Sequence, residues 1–249
     1  MTHSPNDIAS ALELKEQGLT ATATARRLDI ARPTVRDWFA GRLPEVAMRS
    51  CETCPQCGGP AHEVENVGAE YAYLLGLYLG DGCVSAHRRG VYKLRIFLDT
   101  RYPGIIGECR AAIGSVLPTG RATGTVAKQG CVEVYSFWKG WCCLFPQHGA
   151  GMKHTRPMVL APWQEALVDR HPEALLRGLI HSDGCRFINT GTNWVNPRYS
   201  FSNRSHDIRR IFCEACDRLG LRYTTCPNTV YVSRKDDVAA LDAFIGPKA

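Results

Sequence analysis

The 249-residue sequence lacks any long hydrophobic run: no stretch approaches the roughly 18 to 20 apolar residues that a membrane-spanning helix needs. The opening residues, MTHSPNDIAS, also lack the basic and apolar regions of a secretory signal peptide. Both absences predict a cytoplasmic protein that makes no membrane contact. The twelve cysteines are therefore expected to be reduced thiols, some of which bind a metal.

The sequence also lacks a strong excess of charge of one sign. Thirty Lys and Arg residues stand against 24 Asp and Glu residues, which leaves a formal charge of +6 and a pI near 8.7. This balance permits a polyanionic partner such as DNA without requiring one. The length allows one large domain or two to three smaller ones, each with a core.

A nine-residue pattern occurs twice: LLGLYLGDG at 74–82 returns as LRGLIHSDG at 176–184. After each copy come strand-like and helical runs in the same order, and each half closes on a short helix. The chain from about 68 to 247 is therefore predicted to be an α+β fold of two pseudo-symmetric αββαββα repeats. The matching runs are 92–100, 102–117 and 124–137 in the first half, and 198–203, 205–220 and 221–233 in the second.

Small residues four positions apart mark both repeated helices: Gly76 and Gly80 in the first, and Gly178 and Ser182 in the second. Such residues let two helix backbones approach closely. Two helices packed about a two-fold axis bring their C-terminal ends together, and with them Asp81 and Asp183.

Carboxylates are unfavourable at the negative end of a helix dipole, and two of them held close raise one pKa strongly. A divalent cation removes this penalty, because carboxylates and backbone carbonyls are ligands that Mg²⁺ accepts. The predicted Mg²⁺ ligands are Asp81 and Asp183, with the backbone at Gly80 and Ser182. The alternative is that each Asp-Gly pair only forms a tight turn after its helix.

The paired motif resembles that of the LAGLIDADG homing endonucleases, in their single-chain form with two motifs. Over about 180 residues, the resemblance implies two saddle-shaped sheets that straddle double-stranded DNA. It also implies that Asp81 and Asp183 bind Mg²⁺ and activate water to cut both strands. Leu79 and His181 replace the first acid of the family motif, a position that is not a metal ligand in the family.

The resemblance further implies a basic side chain beside the scissile phosphate, in the places that Lys139 and Lys235 occupy before the closing helix of each half. Alternate strand residues face the DNA in such a sheet. Basic residues of the connector GMKHTRP (151–157) are expected to contact phosphates, unless they are merely exposed. The predicted DNA-binding residues of the two repeats and their connector are Lys93, Arg95, Thr100, Lys153, Arg156, Arg198, Ser200, Asn203 and Arg204.

The first residues differ in character from the repeats. Apolar positions between Ile8 and Trp38 fit three short helices with a small shared core, Thr20 is placed to cap the second helix, and Pro33 suits the first turn of the third. This arrangement is typical of a helix-turn-helix that reads the major groove, although three-helix units also serve as plain interaction modules. Its predicted DNA-binding residues are Arg32, Thr34 and Arg36.

The segment CETCPQCGGPAH (51–62) contains the Cys-Pro-x-Cys-Gly form of a zinc knuckle. A structural zinc site needs four ligands, and Cys51 and His62 are the nearest candidates to complete the pair Cys54 and Cys57. The alternative is a loop of free thiols, which would be prone to oxidation if exposed.

These features predict four parts: a helix-turn-helix (1–48), a zinc-knuckle-like linker (49–67), and two LAGLIDADG repeats (68–150 and 151–249). A Mg²⁺-dependent, site-specific DNA endonuclease is the favoured function. A non-cleaving transcriptional regulator on the same fold and an RNA-splicing maturase are the alternatives. Since both repeats lie in one chain, a monomer is expected.

Overall fold

A computed structural model describes residues 5–42, 54, 56–59, 62, 64–246 and 248. The chain divides into two compact units, residues 1–62 and residues 63–249. Within the described ranges, every helix is too short or too polar to cross a membrane.

The N-terminal unit contains three short helices. Thr20 caps the second helix by accepting a hydrogen bond from the Ala23 amide at 3.3 Å, and Asp29 ends it in the left-handed conformation, with φ of 53°. Pro33 stands in the first turn of the third helix, where its missing amide proton costs nothing. The helices are α1 (Pro5–Glu16), α2 (Ala21–Leu28) and α3 (Arg32–Phe39), and their buried core is Ile8, Ala11, Ala25, Ile30, Val35 and Trp38.

The first half of the larger unit follows the predicted order αββαββα. Its four strands form one antiparallel sheet in the order β1-β2-β4-β3. The elements are α4 (Gly68–Asp81), β1 (Gly82–Ala86), β2 (Tyr92–Asp99), α5 (Pro103–Val116), β3 (Thr123–Lys128), β4 (Cys131–Trp138) and α6 (Trp141–Leu144).

The second half repeats this order and sheet topology, β5-β6-β8-β7, so the predicted fold class is confirmed. One helix that the repeat did not predict, α7 (Pro162–Arg170), lies in the connector between the halves. The remaining elements are α8 (Pro172–Asp183), β5 (Gly184–Gly191), β6 (Trp194–Ser202), α9 (His206–Arg218), β7 (Thr224–Thr225), β8 (Thr229–Val232) and α10 (Lys235–Ile245).

In the larger unit, the inner faces of both sheets share one hydrophobic core with the helices of that unit. On β2 the side chains of Leu94, Ile96 and Leu98 are buried in that core, so the alternate residues of the strand occupy the opposite face of the sheet. Helix α4 is buried along nearly its whole length, which explains why its sequence is apolar on every side rather than amphipathic.

Helices α4 and α8 touch backbone to backbone where their glycines meet. A Cβ placed on Gly76 would lie 2.6 Å from the Leu175 carbonyl oxygen, and one placed on Gly178 would overlap the Tyr73 carbonyl oxygen. One turn later, a Cβ placed on Gly80 would overlap the Ser182 side chain. This close contact brings the C-terminal ends of the two helices side by side.

Candidate active site at the ends of the paired helices

Asp81 and Asp183 are the last residues of α4 and α8, and both side chains are partly buried. A Cβ placed on Gly80 would lie 3.2 Å from the Asp183 carboxyl carbon, which shows how closely the second helix end approaches the first. The close glycine contact is therefore what places two carboxylates at one point of the fold.

Each carboxylate opens into its own cavity. The Asp183 cavity, of about 480 Å³, combines Asp183 with Gly80 from the other half and with three cationic side chains, Lys153, Arg156 and Arg204. The Asp81 cavity, of about 260 Å³, combines Asp81 with Ser182 from the other half and with Asp99, Arg101 and Lys248. Each cavity thus pairs the acid of one half with the penultimate helix residue of the other.

Both acids have raised pKa values. Burial raises the pKa of Asp81 to about 6, with the negative charge of Asp183 as the second cause, while Lys153 and Lys248 oppose the rise. Burial likewise raises the pKa of Asp183, against a hydrogen bond from Asn203 that favours its charged form. The two nearby lysines therefore do not fully compensate the negative charges of the two carboxylates.

This electrostatic imbalance predicts a specific pH dependence in buffer free of divalent cations. Asp81 ionises near its ordinary value of 3.8 in the unfolded chain but near 6 in the folded one, so the folded state binds the extra proton between these values. Its ionisation therefore lowers the free energy of unfolding as the pH rises from about 4 to 6.

Asp81→Asn is expected to remove this fall in the free energy of unfolding, because asparagine does not ionise. The melting temperature of the variant relative to the wild type should rise between pH 4 and pH 7, as measured by circular dichroism. A difference that is flat across this range would contradict the raised pKa of Asp81.

Two lysines reach the helix ends from segments that follow the closing helices. Lys153 Nζ donates to the Tyr78 carbonyl at 2.7 Å and also to the Gly80 carbonyl. Lys248 Nζ donates to the Gly184 carbonyl at 2.5 Å. Sequence reasoning did not single out Lys248; the signal was its place after the closing helix of its repeat, which matches the place of Lys153.

Asn203 Nδ2 donates to Asp183 Oδ2 at 2.6 Å, and its Oδ1 accepts from the Ser205 amide at 2.8 Å. The structure thus uses this predicted DNA-binding residue to orient a carboxylate. Lys153, predicted to contact phosphate, donates to the carbonyls at the end of α4.

Lys139 and Lys235 are exposed and line neither cavity. Lys139 follows β4, and Lys235 begins α10. The structure therefore does not bring these two lysines, predicted to be catalytic, to the paired acids.

The residues at the paired acids suit a divalent cation. Two carboxylates and the backbone carbonyls of the helix ends form a set of hard oxygen donors, the type that Mg²⁺ prefers. The Ser182 hydroxyl donates within its own helix, to the Gly178 and Leu179 carbonyls at 3.0 Å each, and the Ser182 backbone carbonyl is the predicted ligand. The raised carboxyl pKa values show that added positive charge would be favourable here.

The outer face of the first sheet carries Lys93 and Arg95, which lie opposite Phe137 and Tyr135 on the neighbouring strand β4. Lys93 Nζ lies 4.3 Å from the centre of the Tyr135 ring and 2.6 Å from Glu133 Oε1. Lys128 also pairs with Glu133 at 2.6 Å, so one nearly buried acid holds two lysines on this face. Thr100 lies in the exposed turn after β2.

On the second sheet, Arg198 and Ser200 alternate with the buried Tyr199 and Phe201 and therefore share the outer face. Arg198 lies 6.0 Å from the Tyr231 ring centre, and Arg204 is exposed just beyond β6. In the N-terminal unit, Arg32 and Arg36 are exposed on α3, with Thr34 partly exposed.

Three of the four predicted zinc ligands lie together. Ligand atoms of Cys54, Cys57 and His62 lie within 4.8 Å of one another, and Cys57 Sγ is 3.5 Å from His62 Nε2. Gly58 turns the backbone between them at a φ of 64°. Cys51, the fourth predicted ligand, lies outside the described residues.

Searches by sequence find no matching family model and no matching curated protein. Solved structures do resemble the chain. I-DmoI in complex with DNA and Mn matches 73% of this chain and 99% of its own, at 16% identity and a TM-score of 0.52. A glycine-to-serine variant of I-DmoI, bound to its target DNA in the presence of Mg, matches 73% and 97%, at 18% identity and a TM-score of 0.50.

The N-terminal LAGLIDADG domain of WhiA also matches, over 72% of this chain and 83% of its own, at 11% identity and a TM-score of 0.43. I-DmoI is a homing endonuclease, and its two structures match this chain over nearly the whole of their own length. The chain therefore has the fold of the LAGLIDADG homing endonucleases.

Proposed function

We propose that the protein binds a specific DNA sequence and cuts both strands as a Mg²⁺-dependent endonuclease. The observation that carries this proposal is the pair of cavities, each of which joins a partly buried carboxylate to cationic side chains. Phosphodiester hydrolysis needs both: oxygen ligands for a metal, and positive charge beside the phosphate. Two cavities provide one such centre for each strand.

Asp183 with the Gly80 carbonyl would hold Mg²⁺ in one cavity, and Asp81 with the Ser182 carbonyl in the other. When bound, Mg²⁺ supplies charge neutralisation and lowers the pKa of a coordinated water. The protein's own contribution is to position the phosphate: Arg204 is exposed at the mouth of the Asp183 cavity, beside Lys153 and Arg156. Asn203 keeps the Asp183 carboxylate in a fixed orientation.

Cleavage of a randomised duplex library tests the proposal, with purified protein in Mg²⁺ and in EDTA. Discrete double-strand cuts are expected only with Mg²⁺, and they would define the site. Selective binding of library members without any cut would reject the nuclease and leave a sequence-reading protein.

A second candidate, a non-cleaving transcriptional regulator, is favoured by one observation. The Lys153 ammonium already lies on the Gly80 carbonyl, a predicted metal ligand, so the first helix end is neutralised without any metal. A regulator would need only DNA binding from the same sheets and from α3.

Arg32 and Arg36 test the DNA-binding role of the N-terminal unit, which we propose to be a helix-turn-helix. Both side chains are exposed, so Arg32→Ala with Arg36→Ala should leave folding intact. Loss of two contacts to DNA is expected to weaken affinity about tenfold or more, with the cleavage rate of bound DNA unchanged. Fluorescence anisotropy measures the affinity, and Arg26→Ala, exposed on α2, is the matched control. If the double variant and Arg26→Ala bind DNA with equal affinity, the N-terminal unit is an interaction module that does not read DNA through α3.

We also propose a structural zinc ion at Cys54, Cys57 and His62. Burial lowers the pKa of His62, which favours the neutral imidazole that binds metal. The purified protein should contain about one zinc per chain, and Cys57→Ser should contain almost none. The exposed Cys226 offers the control, since Cys226→Ser should keep its zinc. Elemental analysis measures the zinc content. If Cys57→Ser and Cys226→Ser contain equal amounts of zinc, the metal does not bind at Cys57.

A further inference from the structure

Lys153 holds a place at the helix ends that suits a cation. The last carbonyls of a helix have no amide partners within it and carry partial negative charge. Lys153 Nζ donates to the Gly80 carbonyl and to the Tyr78 carbonyl, which also accepts from the Gly82 amide, and it lies 5.5 Å from the centre of the Tyr78 ring. The ammonium is thus surrounded by the negative end of α4 and the face of an aromatic ring.

The same ammonium also interacts with both carboxylates. Asp183 and Asp81 are the two main groups that favour its charged form, against burial that lowers its pKa to about 8. It shares the Asp183 cavity with Gly80 and Asp183, the two groups proposed to hold Mg²⁺ there. One positive charge therefore already occupies the Gly80 carbonyl, a proposed metal ligand in this cavity.

The two halves differ at this point. Lys248, the counterpart of Lys153, donates to the Gly184 carbonyl, which follows Asp183 in the chain. The backbone group that corresponds to Gly80 in the second half is that of Ser182, two residues earlier. Lys153 therefore contacts a proposed metal ligand directly, whereas Lys248 contacts a neighbouring carbonyl.

We propose that the Lys153 ammonium and a divalent cation compete for the Gly80 carbonyl, so that Lys153 must withdraw before the Asp183 cavity takes up metal. The Asp81 cavity has no such contact at Ser182 within the described residues and takes up metal first. Lys153 is thus a positioning residue that holds the helix ends in the metal-free protein. This inference rests on the proposed metal-dependent function.

Mn²⁺ titration of the full-length protein, followed by electron paramagnetic resonance, tests the competition without any cleavage assay. Lys153→Met removes the ammonium and keeps an unbranched stem that is only one atom shorter, so the variant should bind Mn²⁺ about tenfold more tightly at one of two sites. Adding Asp183→Asn to this variant should abolish the gain.

Lys248→Met is the matched control, because it removes the same charge beside the same two carboxylates but frees Gly184 rather than Gly80. A clearly smaller gain in this variant supports direct competition, and an equal gain overturns it in favour of a general charge effect. Equal Mn²⁺ affinity of wild type and Lys153→Met overturns the competition alone. Failure of every protein to bind Mn²⁺ overturns the metal-dependent function and this inference with it.

Amine labelling of the wild-type protein gives a second measurement that needs no variant. Withdrawal of Lys153 from the two carbonyls should raise its acetylation rate several-fold when Mn²⁺ is added, as read by mass spectrometry. Lys139, exposed and outside both cavities, is the internal reference and should not change. An unchanged rate at Lys153 while Mn²⁺ binds would overturn the proposal.

Discussion

Asp183→Asn is expected to abolish double-strand cleavage, by at least about a thousandfold, while the protein still binds its DNA. The amide keeps the shape of the side chain and an oxygen that accepts the hydrogen bond from Asn203. It loses the negative charge that a divalent cation needs in the Asp183 cavity. Asp81→Asn should have the same effect through the Asp81 cavity.

Cleavage under single-turnover conditions and affinity by anisotropy separate the two effects. Removal of a carboxylate near the phosphates should leave the affinity unchanged or slightly higher, since one repulsive charge is lost. Asp99→Asn is the control: Asp99 also lines the Asp81 cavity, but its carboxylate pairs with Arg101 at 2.6 Å. A loss of affinity as large as the loss of cleavage would contradict the paired-metal hypothesis.

The helix pair was predictable because its information is local and repeated. Small residues at Gly76 and Gly178 in matching contexts are enough to predict a close helix contact, and the acids that end both helices follow from it. The alternation in YKLRIFLDT likewise predicts which side of β2 is buried. Register between strands, which decides that Lys93 lies opposite Phe137, needs the three-dimensional structure.

The lysines of the site were harder to predict. Lys153 and Lys248 follow the closing helices in segments without hydrophobic periodicity, and they reach the helix ends from far along the chain. Only their places after the closing helices distinguish them from Lys139, which precedes its closing helix and is solvent-exposed. Asn203 is predicted to contact DNA because it belongs to the strand-like run 198–203, but its observed partner Asp183 lies 20 residues earlier in the chain.

The second large effect concerns the contact between the helices, and Gly178→Ala is expected to disrupt it. The added Cβ would overlap the Tyr73 carbonyl oxygen and lie 3.0 Å from the Gly76 Cα. Both neighbours are backbone atoms of a buried helix, so relief requires α4 and α8 to move apart. Overpacking of this kind costs about 1–3 kcal/mol or more, and here it acts on the helix pair that the whole core surrounds.

Gly114→Ala is the matched control for this prediction. Gly114 also lies inside a helix, but a Cβ there meets nothing within 4 Å. Alanine should therefore raise the free energy of unfolding by about 0.5–1 kcal/mol through its better helix propensity. Urea denaturation would measure opposite signs for the two variants. Similar changes in the free energy of unfolding of both variants would mean that the packing of α4 on α8 does not depend on backbone contact. The proximity of Asp81 and Asp183 would then need another cause.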